Sequence, residues 1–344
     1  MNPYRKWKRS ASVIVTAKDD THSKSSHNFV TLTLERVSKS STYPGATVFP
    51  GGVLESADKS KEWLALYDNF GFNLDSFNSI KPKISTLYIF QKQDVNEIPP
   101  YISLRIAAIR ETFEETGILI CRRSQVHYEE NTCWANFIVL DNLLEWQNKI
   151  CNDAWEFIKF CRQFAIYPDV WSLQEWSNWQ APPTMSFKFD VIFFLAAFRT
   201  VPPTHLNVRE ASHLHWDTPS KYLQQFKAHK LLLLIPQFYE MGRMRVFSHI
   251  EDLAIFAQKR ARHGTVTFMS YRIFTDEQFC IIFPGDDLYP ATVDITKDQS
   301  VHLESVPETH VQHRVYVDSL YDMYFVIKNF KPPCNHVIPL LSKL

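Results

Sequence analysis

The sequence predicts an α/β protein with a mixed sheet, and three features carry that expectation. Two strand-like runs stand near the N-terminus, a long helical repeat follows after residue 100, and another apolar strand begins near residue 187. Strand and helix periods alternating along one chain suit a layered α/β fold.

Taken in order, residues 11–17 and 29–37 alternate β-branched and apolar positions and form a long-looped hairpin. Residues 43–52 then hold Gly45, Gly51 and Gly52, three of the eight glycines in the chain. Glycine is scarce here, so its clustering marks a place where backbone must approach something closely. Residues 56–100 are polar, aromatic and irregular, with one short helix at Trp63 to Tyr67, and look like an insertion. From 102 to 116 the residues Ile102, Ile106, Ile109 and Phe113 repeat at helical spacing, and Gly117 supplies a stop. Residues 141–165 continue as an aromatic amphipathic helix and 187–199 as a core strand. Residues 217–260 look helical, and 265–330 mix strands with turns.

Of the 344 residues, 45% are apolar, which suits a globular protein with a sizeable core. Lysine plus arginine equals aspartate plus glutamate at 37 each, so no overall field draws the chain to nucleic acid. The longest apolar runs fall far short of the ~20 residues that span a bilayer, so no membrane span is expected. The six cysteines form no C-x-x-C pair and no zinc spacing.

The residues with chemistry lie at the end of the long helix. Glu111, Glu114 and Glu115 fall at i, i+3 and i+4, which puts three like charges on one side. Arg105 and Arg110 are the nearby cations. On these residues alone, a solvated acidic face and a site for a hard divalent cation both stand.

The run Arg110-Glu-Thr-Phe-Glu-Glu-Thr-Gly-Ile118 resembles the second half of the Nudix box, G-x5-E-x7-R-E-U-x-E-E-x-G-U, with Thr112 at an aliphatic position. Phe49-Pro-Gly-Gly52 resembles the first half. Six residues beyond Gly52 stands Asp58 where the family has glutamate, and Arg110 lies 44 residues past its uninterrupted place. The resemblance therefore implies a Nudix α/β/α sandwich with an insertion, about residues 57–101, inside the box. A hydrolase domain over 8–240 and a C-terminal extension over 241–344, packed on it, complete the expected organisation. The family chemistry implies that Glu111, Glu115 and Glu114, with the Gly52 carbonyl, hold magnesium, or manganese in its place. Arg110 would orient a glutamate. The base that takes the proton of water is Glu114 or Glu210, and the role of Asp58 stays open.

Upstream, Leu32-Thr-Leu-Glu-Arg36, Gly45 and Phe49-Pro-Gly51-Gly52 resemble the loop of coenzyme A diphosphatases in the same family, with Val37 and Ser41 departing from it. This implies that Arg36, Gly45, Phe49 and Gly51 meet the substrate, coenzyme A or an acyl-coenzyme A. The split box and the terminal Ser342-Lys343-Leu344 resemble the peroxisomal acyl-coenzyme A diphosphatase branch. That tripeptide is the kind of address the peroxisomal import receptor reads, so a peroxisomal location is expected. An acyl chain needs an apolar channel, which Phe187 to Phe198 and Trp171, Trp176 and Trp179 could line, although aromatics at such spacing more often form plain core. Two other functions remain: a peroxisomal NADH diphosphatase, against which the missing four-cysteine module counts, and a Nudix-fold binding module without turnover.

Overall fold

The computed structural model describes residues 7–19, 26–38, 43–84, 87–91, 94–123 and 133–340. Ser342, Lys343 and Leu344 lie outside them. Strands β1 (Lys8–Lys18), β2 (Phe29–Arg36), β3 (Ala46–Val48) and β4 (Gly51–Val53) lead into α1 (Glu62–Asp68) and α2 (Pro100–Thr116). A small ladder of β5 (Cys121–Arg122) with β6 (Tyr167–Pro168) brackets α3 (Leu143–Asn152) and α4 (Trp155–Gln163). Next come β7 (Gln174–Gln180), β8 (Phe189–Phe198), β9 (Ala211–Asp217), α5 (Pro219–Lys227), β10 (Leu232–Leu233), α6 (Ile235–Met244) and α7 (Ile250–Ala261). After β11 (Thr267–Met269), strands β12 (Tyr271–Phe274), β13 (Phe279–Ile282), β14 (Ser300–His302), β15 (Gln312–Ser319) and β16 (Asp322–Lys328) build a second sheet.

The main sheet is mixed, in the order β10-β3-β2-β1-β8-β7-β11, with β4 on β1 and β9 on β2. β1 is its axis. Its full length runs parallel to β8, while its other edge is divided between β2 at Thr16 to Lys18 and β4 at Ser10 to Ser12. Alternation sorts the side chains: Ala11, Val13, Val15, Ile192 and Phe194 face α2, and Ile14, Phe193 and Leu195 face α7. Ile102, Ile106, Ile109 and Phe113 bury against the first set, and Leu253, Ala254 and Ala257 against the second. The result is the expected three-layer sandwich.

The stretch expected to be an insertion folds onto the α2 side. Trp63 packs on Phe157 at 5.5 Å, Phe77 stacks on Trp171 at 5.0 Å, and the Tyr67 hydroxyl donates to the Pro168 carbonyl at 2.7 Å. The second sheet sends Ile281, Phe283, Val315 and Met323 into the α7-side core, where Phe325 stacks on Phe238 of α6 at 4.6 Å.

Two expectations need correction. Residues 141–165 form two helices, because Asp153 leaves helical geometry and its carboxylate accepts from the Trp155 amide at 3.0 Å, starting α4 afresh. Residues 217–260 are interrupted by the extended pair Leu232–Leu233, which runs parallel to β3. The three tryptophans are core, as the plain reading had them: Trp171 sits against Phe77, while Trp176 and Trp179 both donate to buried Glu240, at 2.7 and 2.9 Å.

Candidate active site

Helix α2 begins at Pro100, whose missing N–H costs nothing at the first position, and ends at Gly117 with φ of 73°, a left-handed turn suited to glycine. Its last carbonyls do not go to water. Gln147 donates to Glu114 O at 2.9 Å, Asn207 N to Glu115 O at 3.0 Å, and His205 N to Thr116 O at 2.7 Å. The 205–210 loop is thereby tied across the end of the helix.

Arg110 organises the acids around it and is 1% exposed. Its Nε and Nη2 donate to the two oxygens of Asp58, at 2.8 and 2.9 Å, and Nη1 donates to Glu114 at 2.6 Å. Nη2 also lies 3.0 Å from Glu111. Burial works against the guanidinium charge, yet Asp58 and Glu111 outweigh it and hold Arg110 protonated. Asp58, whose role the sequence left open, is thus fully buried and takes both arms of the fork. The signal was its count of six beyond Gly52.

The glutamates have more negative charge around them than one arginine offsets. Burial, with repulsion from Asp58 and Glu210, pushes Glu111 up to about 7 against the pull of Arg110. Burial and repulsion from Glu111 and Glu210 push Glu114 up to about 8, again against Arg110. Glu115 is raised well above the ordinary carboxylate range, by burial and by Glu111 and Glu210, although the Gly51 amide donates to it at 2.8 Å and Arg36 also pulls it down.

Strand β4 closes the site from the sheet side. A Cβ on Gly52 would fall 2.3 Å from Glu111 Cδ, so only glycine leaves room for that carboxylate. The other positions expected to meet substrate divide. Arg36, at the end of β2, acts electrostatically on Glu115. Gly45, with φ of +72°, donates its amide to the Arg36 carbonyl at 3.1 Å and so shapes the turn beneath it. Gly51 meets Glu115. Phe49 does not face the cleft: its ring is buried on the α7 side, edge-on to Phe193 at 5.8 Å, and anchors the loop.

Glu210 is delivered by the 205–210 loop. One carboxylate oxygen each of Glu114 and Glu210 and the sulfur of Cys151 lie within 4.8 Å of one another. Nothing in the sequence pointed to Cys151, Gln147 or Asn207, because α3 and the loop reach α2 only through the fold. Buried carboxylates with raised proton affinity, beside a backbone cradle that a Cβ would fill, fit a hard divalent cation held by Glu111, Glu114 and Glu115.

Residues 7–244 match the family described as the NUDT19 Nudix domain. The chain is 30% identical to a Gallus gallus protein named acyl-coenzyme A diphosphatase NUDT19, over 99% of this chain and 97% of that one. It is 29% identical to the Xenopus laevis protein of the same name, over 98% and 97% of the two chains. Against the Homo sapiens protein of that name it is 28% identical, over 97% and 95%. A crystal structure of a Nudix hydrolase from Alicyclobacillus acidocaldarius aligns with a TM-score of 0.52 at 19% identity, over 72% of this chain and 95% of that one, a likeness of fold.

Proposed function

The chain belongs to the Nudix hydrolase family, and from that premise we propose that it cleaves the diphosphate bond of coenzyme A and acyl-coenzyme A. The products would be adenosine 3′,5′-bisphosphate and 4′-phosphopantetheine or its acyl form. One observation carries the hydrolytic part: Arg110, gripped by Asp58, holds Glu111 and Glu114 on the helix end that Gly51 and Gly52 approach. The substrate part is supported by the named activity of the relatives and by Arg36, which acts electrostatically on Glu115 and whose carbonyl accepts from the Gly45 amide.

Nudix hydrolases use a divalent metal, and we infer magnesium here, with manganese as its substitute, because every carboxylate offered is a hard oxygen donor. Such an ion supplies charge neutralisation at the diphosphate and a more acidic water. The chain's own residues do the rest. Glu111 and Glu115 hold the charge in place, Arg110 fixes the Glu111 and Glu114 rotamers, and Arg36 binds a substrate phosphate as a planar cation. Glu210, reaching Glu114 from a separate loop, accepts the proton of the attacking water.

The purified chain incubated with magnesium and coenzyme A, a medium-chain acyl-coenzyme A or NADH tests this. Release of adenosine 3′,5′-bisphosphate that disappears in Glu115→Gln is the expected result. Cleavage of NADH alone would replace the substrate assignment, and no turnover of any of the three would remove the enzymatic one. We also propose import into the peroxisome through Ser342-Lys343-Leu344. A fluorescent fusion preserving that end should be punctate, and one lacking the tripeptide diffuse; identical distributions would end the assignment.

A further inference from the structure

Strand β9, which pairs with β2 alone among the described residues, carries two histidines on one face. His213 and His215 alternate along it, and Glu35 of β2 is paired directly with His213 in the ladder. Leu214 and Trp216 pack on the α2-side core. Alternation therefore turns His213, His215 and Glu35 to the opposite face of the sheet, away from the α2 carboxylates. The ladder shifts register here. Arg36 pairs with Ala211 and Glu35 with His213, which leaves Ser212 as a bulge residue whose hydroxyl donates to the Glu35 carbonyl at 3.2 Å.

The three side chains converge without satisfying one another. Glu35 Oε2 stands 3.5 Å from His213 Nδ1 and 3.9 Å from His215 Nε2, both longer than a hydrogen bond. The two imidazoles lie within 24° of parallel, with centroids 5.8 Å apart. The side chains of His213, His215 and Glu35 are 64%, 45% and 37% exposed, so each can be reached from solvent and has room to turn about its χ angles. Donor atoms around a tetrahedral zinc stand about 3.4 Å apart. Glu35 and His213 already have that spacing. Glu35 and His215 reach it by a shift of about 0.5 Å, and turning the two exposed rings toward each other closes the set.

We propose that Glu35, His213 and His215 bind a divalent cation of the zinc class. Two imidazole nitrogens and a carboxylate oxygen are donors that zinc takes, whereas magnesium prefers an all-oxygen set. A neutral imidazole carries its one proton on either nitrogen. The cation therefore takes the lone pairs of His213 Nδ1 and His215 Nε2, with each proton on the other nitrogen of its ring, and water fills the fourth position. The 3.2 Å contact of His213 Nδ1 with the Ser212 hydroxyl is exchanged for the cation. The bound ion ties β9 to β2 beside the bulge, next to Arg36 and to the loop that ends at Glu210. Nothing in this inference depends on the hydrolytic reading of the α2 site.

Zinc ion is the probe, added to the full chain with excess magnesium present throughout. The readout is the imidazole Cε1–H resonances of His213 and His215, assigned with His213→Gln and His215→Gln. Both resonances should shift together and saturate with zinc, and neither should respond to magnesium alone. In His215→Gln the His213 ring should need roughly 10–100-fold more zinc, and Glu35→Gln should weaken the response of both rings. Rings unmoved by zinc would overturn the proposal even if the protein takes the ion up elsewhere. An equal response to magnesium, or an unchanged His213 midpoint in His215→Gln, would overturn it too. Should His215→Gln lose its fold by thermal melting, Glu35→Gln decides.

Discussion

Arg110 and Asp58, 52 residues apart in the chain, form a two-pronged ion pair with Nε–Oδ1 of 2.8 Å and Nη2–Oδ2 of 2.9 Å, each side chain 1% exposed. The same guanidinium touches Glu111 and Glu114. A residue just beyond β4 therefore sets the geometry of the helix end that carries the three glutamates.

Removing Asp58 leaves a buried guanidinium short of its main partner. Asp58→Ala should destabilise the fold by about 3–5 kcal/mol, read by chemical denaturation. Asp58→Asn keeps the shape and one accepting oxygen, and should be milder in stability while still lowering kcat/KM by roughly 10–100-fold. An Asp58→Asn protein as active as the parent would show that Arg110 is positioned without it.

Gly52 tests the cradle. In Gly52→Ala the new methyl would meet the Glu111 carboxylate, which is buried and held by Arg110, so the carboxylate must move. A displacement of about 1 Å in a site of this kind costs on the order of 100-fold in rate. The expected result is that loss in kcat with a melting temperature near that of the parent.

Cation binding should appear as stability. An ion that binds only the folded chain adds about 2.7 kcal/mol at a hundredfold excess over its Kd. Magnesium added to chelator-treated protein should raise the melting temperature, and Glu115→Gln, which still accepts from the Gly51 amide, should lose the response. Equal shifts in both proteins would place the ion elsewhere.

His313 makes the second sheet sensitive to acid. A carbonyl can only accept, so Nδ1–H donates to Pro284 O at 2.9 Å, and Nε2 then accepts from the Tyr239 hydroxyl at 2.6 Å. Burial pushes this imidazole down to about 3 and keeps it neutral. Its ordinary value is about 6.5, so between these limits the unfolded chain binds a proton that the folded chain refuses, and stability falls as pH drops from 6.5 toward 3. His313→Gln, which can supply one donor and one acceptor, should flatten that slope in melting curves taken across the range. An unchanged slope would assign the acid sensitivity to other groups.

The sequence by itself determined what is local and periodic. The spacing of Ile102, Ile106, Ile109 and Phe113 and the stop at Gly117 define one helix, and consecutive positions on a helix place Glu111, Glu114 and Glu115 together without help from the rest of the chain. The glycine cluster is legible for the same reason, since close backbone approach demands the residue that lacks a Cβ. Tertiary structure alone decided the rest. Asp58 reaches Arg110 because the extra chain packs on the sheet and returns its first turn to α2; Glu210 and Cys151 reach Glu114 because the 205–210 loop and α3 satisfy the last carbonyls of that helix. Phe49 and the tryptophans turned inward because burial of large aromatic surface outweighs any preference readable at single positions. Side-chain period is written in neighbouring residues, whereas contacts between distant segments depend on which surfaces the whole chain can bury at once.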